Sequence, residues 1–121
     1  LANINVSLSE LMKLDGAIGA AVVDSNSGMM LGATGGAGSI NLEVAAAGNT
    51  EVVRAKRKTM RALGLKDEIE DVLITLQTQY HVIRPLRAND ALFVYLVLDK
   101  QKANLALSRH HLTGVERDLE V

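Results

Sequence analysis

Residues Ala91 to Leu98, "ALFVYLVL", form the longest unbroken apolar run in the chain. The run is far too short for a membrane helix, which needs about 20 apolar residues. Valine and the aromatics favour a strand. A strand apolar on both faces must be covered on both, so this one belongs in mid-sheet between two layers. Ala17 to Ser25 reads the same way, with Val22–Val23 at its centre. The two are expected to be neighbours, with helices on both sides of the sheet.

The remaining strands are half-apolar. After a turn at Asn26–Ser27–Gly28, Met29 to Ala33 returns as the second arm of a hairpin. Ile69 to Gln77 alternates, with Val72, Ile74 and Leu76 on one face and Leu73, Thr75 and Gln77 on the other. Thr78–Gln79 turns the chain into a strand over Tyr80 to Arg87. Its Pro85 lacks an amide and belongs near a strand end. Asn89–Asp90 turns again.

Three helices are expected. Ser7 and Glu10 have capping-box spacing, with Val6 and Leu11 placed as a staple, so a first helix should run from Ser7 to Leu14 and stop at Asp15–Gly16. Ser39 or Asn41 caps a long second helix with Glu43 in its first turn; Leu63 closes it and Gly64 takes the left-handed position. Its apolar arc is Leu42, Ala45, Val52, Val53, Met60 and Leu63, interrupted by Asn49 and Lys56. Asp99 caps a third helix to about Leu112, which Thr113–Gly114 stops. The charged stretch Val115–Val121 should fray. The order is α-β-β-α-β-β-β-α in one domain over residues 1–121, with a core over 7–112 and a flexible tail over 113–121.

The 121 residues carry a formal net charge of -1, with 48% hydrophobic and 22% charged residues. This is a globular composition, without the global positive field that would draw nucleic acid or an anionic membrane. With no cysteine, disulfides and thiolate metal sites are excluded. No signal peptide or spanning segment is visible, so a cytoplasmic protein is expected.

Candidate chemistry is sparse. Gly32 to Ser39, "GATGGAGS", lies between strand and helix, where phosphate-binding loops lie. It lacks the lysine before the serine that such loops use, and a hairpin precedes it rather than a parallel βαβ unit. It reads as a connection, and no cofactor is expected. His110 and His111 are adjacent on a helix and point about 100° apart, so with His81 they make no metal spacing. No nucleophile stands in a recognisable catalytic pattern, so no enzyme, catalytic residue or metal is expected. His81 and Tyr95 are the few polar candidates for a small-molecule pocket.

The charges say more. Arg54, Arg57, Lys58 and Arg61 form a stripe opposite the apolar arc, where like charges repel by about 0.2–0.5 kcal/mol per neighbouring pair. The stripe is either a solvated face or a partner-binding surface. The acidic cluster Asp67, Glu68, Glu70 and Asp71 follows it. The strand Val72–Gln77 has no proline, lysine or arginine to discourage pairing, so as an edge it can add to a second copy. Asn49 and Lys56 then fit a helix partly covered at the same seam. The expected self-interface is Val72, Leu73, Ile74, Thr75, Leu76, Gln77, Asn49 and Lys56.

Two blocks carry a resemblance. "LMKLDGAIGAAVVDSNSGMMLG" (Leu11 to Gly32) and "YHVIRPLRANDALFVYLVLDKQKANLALSRHHL" (Tyr80 to Leu112) resemble the roadblock family of dynein light chains and their bacterial relatives over about Ser7 to Leu112. The resemblance implies a profilin-like α/β fold, a five-stranded antiparallel sheet with helices on both faces. It implies dimers joined through the third strand and second helix, no active site, and binding to a Ras-like small GTPase whose nucleotide state or localisation is modulated. The alternative is a profilin-like domain that senses a small molecule in a signalling pathway.

Overall fold

The computed structural model describes residues 2–121. The elements are α1 (Ile4–Leu11), β1 (Ala17–Asp24), β2 (Met29–Gly35), α2 (Leu42–Ala62), β3 (Val72–Thr75), β4 (Gln79–Pro85), β5 (Leu92–Asp99) and α3 (Leu105–Asp118). One antiparallel sheet runs in the order β2-β1-β5-β4-β3. The two doubly apolar strands are paired, with Val22 opposite Val94 and Ala21 opposite Tyr95.

The period of β5 divides the interior into two cores. Val94, Leu96 and Leu98 turn to one face and meet Leu8 and Leu11 of α1 and Leu112 and Val115 of α3. Phe93, Tyr95 and Val97 turn to the other and pack with Ala46 and Val53 of α2. Gly32 sets how closely α1 approaches β2: a Cβ there would lie 2.6 Å from Ile4 Cγ2. Half of the glycine-rich stretch is therefore strand. Gly36 and Gly38, both at positive φ, turn the chain toward α2.

α2 is capped by Asn41, whose Oδ1 accepts from the Val44 amide at 3.1 Å. It ends in a Schellman turn: the Leu65 amide donates to Met60 O and the Gly64 amide to Arg61 O. Its buried stripe is narrower than the sequence suggests, Leu42, Ala46, Thr50 and Val53 alone. Beyond Val53 no residue of α2 is buried, and Leu63 is 66% exposed. The second half of the helix overhangs the sheet.

Both ends of the α1–α3 layer depart from expectation. α1 begins at Ile4, capped by Asn3, whose Oδ1 accepts the Val6 amide at 2.9 Å; Ser7 is inside the helix and Val6 points to solvent, so neither box nor staple forms. Asp99 closes a turn onto Gln101, Lys102 and Ala103, while Asn104 caps α3 by accepting from Leu107 at 3.0 Å. α3 does not stop at Gly114 but runs to Asp118, with Val115, Glu116 and Leu119 buried. A glycine inside a helix costs only about 1 kcal/mol, less than those burials return. The Glu116 carboxylate lies against Arg84 of β4, Nε to Oε1 at 3.0 Å, with residue exposures of 7% and 8%. Ala2 and Leu119 then form a parallel bridge: Ala2 donates to Asp118 O and Glu120 donates to Ala2 O.

Two buried polar groups give opposite expectations for stability. Among the described residues the buried Ser7 hydroxyl has no partner, so Ser7→Ala should raise stability by roughly 1 kcal/mol. Glu116→Ala leaves the Arg84 guanidinium buried and unpaired and should cost roughly 3–5 kcal/mol. Urea unfolding of the two variants against the parent checks both signs.

Candidate protein interface

β3 is an outer strand, and the direction of its pairing groups follows from one bond. The Leu76 amide donates to Gln79 O at 2.8 Å. In an antiparallel ladder these directions alternate. Ile74, opposite His81, therefore also faces β4, and the amides and carbonyls of Leu73 and Thr75 face outward. The strand is shorter than expected. Leu76 and Gln77 lie beyond it, in a turn now centred on Gln77–Thr78, since Gln79 already belongs to β4. Asp71 pins its start: Arg109 of α3 grips the carboxylate with both Nε (2.9 Å) and Nη2 (2.7 Å). Sequence spacing gave no hint of that pair, whose members are far apart in the chain.

The overhanging half of α2 stands beside this edge. Val52, Lys56, Met60, Leu65, Ile69 and Val72 line a hollow of about 730 Å³ between helix and strand. Lys56 is exposed at this hollow, where a seam residue was expected. Asn49 is half-buried, beside a polar chain beneath the helix. Val72 packs toward α2 and Leu73 toward α1 and α3, the alternation the sequence shows.

That polar chain joins β4 and β5. His81 Nε2 lies 2.8 Å from Gln79 Oε1, and His81 Nδ1 lies 2.9 Å from the Tyr95 hydroxyl. Gln79 Oε1 can only accept, so Nε2 carries the hydrogen and Nδ1 accepts from Tyr95. Burial pushes the Tyr95 phenol above its usual range, opposed by the nearby Asn49 amide. Burial also holds the His81 imidazole below its ordinary value. His81 and Tyr95 thus satisfy one another.

The basic stripe divides. Arg54 donates to Asn26 O at 2.8 Å and pairs with Glu51 at 3.1 Å, tying α2 to the β1–β2 turn. Among the described residues, Arg57, Lys58 and Arg61 make no such bond to the body of the fold.

Solved structures share this architecture. Myxococcus xanthus MglB is 18% identical, with a TM-score of 0.82 over 94% of this chain and 82% of that one. The chain has the roadblock-type fold. A roadblock/LC7 domain from Streptomyces avermitilis is 11% identical, with a TM-score of 0.79 over 96% of this chain and 93% of its own. A structure described as MglB with tetrameric arrangement is 17% identical, with a TM-score of 0.77 over 93% and 81% of the two chains. No sequence-family model matches the chain, and no curated protein matches it. Among the described residues no helix is long and apolar enough to cross a membrane.

The state of His81 makes the roadblock-type core pH-sensitive. Its folded pKa lies below the ordinary 6.5, so the unfolded chain binds the proton first as pH falls. The stabilisation is complete above the unfolded value and is lost as pH falls from there toward the folded one. Protonation also sets a hydrogen on Nδ1 against the Tyr95 O–H. The urea midpoint should drop between about pH 7.5 and pH 5.5, and His81→Gln should flatten that slope relative to the parent.

Proposed function

We propose that this chain is a non-catalytic regulatory or scaffold subunit that works as a cytoplasmic homodimer, binds a Ras-like small GTPase and modulates its nucleotide state or localisation. The observation that carries the reading is the open edge of β3 beside the overhanging half of α2. Strand and helix together present outward-facing amides and a hollow of apolar side chains flanked by Lys56 and the acidic cluster Asp67, Glu68, Glu70 and Asp71. An exposed strand edge free of proline and lysine is a ready template for another chain. A second copy meets it with the same groups in reverse, the self-complementary arrangement of a two-fold dimer.

The likeness in fold to MglB supports the same reading, and one MglB structure is described as a tetrameric arrangement. Of the stripe Arg54, Arg57, Lys58 and Arg61, the last three are free to meet carboxylates on a partner, with Arg suited to bidentate contacts. Exposed pairs contribute only about 0–1 kcal/mol each, so these cations steer and orient the encounter.

Thr75→Pro separates edge pairing from fold stability. The Thr75 amide faces away from β4, so proline removes a free edge donor and leaves the β4 ladder intact. Light scattering at micromolar concentration should give twice the chain mass for the parent and the single mass for Thr75→Pro, with unchanged circular dichroism. A parent that is monomeric at that concentration overturns the dimer. For the partner, pull-down with Ras-like GTPases from the same genome, loaded with GDP or GTP, should retain one of them. Calorimetry with Arg57→Glu/Arg61→Glu should then show weaker binding and a shallower salt dependence.

A further inference from the structure

A second hollow, of about 470 Å³, lies on the other side of the α2–β3 connection, between that segment, the end of α2 and the β4–β5 turn. Arg57 and Arg61 line it from α2, Arg87 and Asp90 from the β4–β5 turn, and Asp67 and Glu68 from the connecting segment. Among the described residues, none of these six has an opposite charge within 4.0 Å, whereas Arg54, Arg84 and Arg109 are all paired. Arg57 is half-buried yet holds no side-chain hydrogen bond among the described residues. Three guanidinium groups and three carboxylates thus share one cleft without an ion pair among them, and all but Arg57 are exposed.

We propose that this cleft is the docking groove for a polypeptide segment of a protein partner, one that carries acidic and basic side chains close together. A purely acidic segment would satisfy the arginines and meet repulsion from Asp67, Glu68 and Asp90; a purely basic one would meet the reverse. A mixed segment can set its carboxylates on the α2 wall and its cations on the connecting segment. The cleft volume is in the range of sites that hold a few side chains. Arg87, outside the stripe read from sequence, becomes a specificity residue: it brings a third guanidinium from a different element, so the site depends on the fold and not on one helix face. The inference rests on the regulatory reading for its protein partner, and names where that partner is gripped.

The test uses the full chain labelled at arginine Nε and three octapeptide probes at low salt: alternating Glu–Lys, all-Glu and all-Lys. The alternating peptide should move the Nε–Hε resonances of Arg57, Arg61 and Arg87 together and saturably, with the two homopolymers weaker. Arg87→Glu should weaken it at least tenfold. Asp67→Lys with Glu68→Lys should switch the preference to the all-Glu peptide. No saturable movement, a parent that prefers all-Glu, or movement that leaves Arg87 out would overturn the groove. The GTPase assay fails separately. A GTPase that binds parent and Arg87→Glu equally overturns the cleft as the partner site and leaves the regulatory reading standing. Peptide binding without any GTPase binding sustains the cleft and removes that reading.

Discussion

β5 is apolar on both faces, and the architecture follows from covering it. A strand buried on each side needs a neighbour along each edge and a layer above and below. β1 and β4 take the edges. α1 and α3 close one face, and α2 the other. The two layers are unequal. Two helices that also pack on each other seal the first. One helix seals the second along four positions, the last of them Val53. A single helix does not cover five strands, so the side near β3 and β4 is left with a hollow rather than a lid.

That inequality locates the surfaces proposed to carry function. The covered face is made rigid by long-range polar locks: Arg84 with Glu116, Asp71 with Arg109, and the bridge between Ala2 and Leu119. The open face holds the outer strand β3, the overhanging end of α2 and the unpaired cleft charges. Beneath it the chain of Gln79, His81 and Tyr95 joins β4 to β5 through directional hydrogen bonds, with Asn49 of α2 close to the phenol.

What the sequence disclosed is what local pattern encodes. Strand periods in Val72–Thr75 and Leu92–Leu98, the cap at Asn41 and the left-handed Gly64 all depend on residues within a few positions of each other. Element order and the outer position of β3 follow from those. What it concealed depends on distant partners. Gly114 looks like a stop until Arg84 is seen waiting for Glu116. Asn3 and Ser7 are equally good caps by type, and the choice falls to Asn3 because the helix must reach Ile4 over Gly32. Asp99 resembles a cap but closes a turn, since the next residues must climb back over the sheet before α3 starts at Leu105. At the proposed interface the sequence marks the strand and the stripe. It misses that Arg54 belongs to the fold and that Arg87 faces Arg57 and Arg61 across a cleft.

The arginines show why residue type is a poor guide to role. Arg84 is buried against a carboxylate, and removing either member leaves a charge without water or partner. Arg109 holds Asp71 by a planar two-point contact at the surface, fixing where β3 begins. Arg54 anchors a turn through a carbonyl. Each is closed by the chain itself. Arg57, Arg61 and Arg87 are chemically identical to these, and the chain supplies Asp67, Glu68 and Asp90 nearby but not within reach. Of the six, only Arg57 is half-buried and the rest are exposed, so the proposed groove rests on their arrangement: a partner segment that enters between them reaches both signs at once.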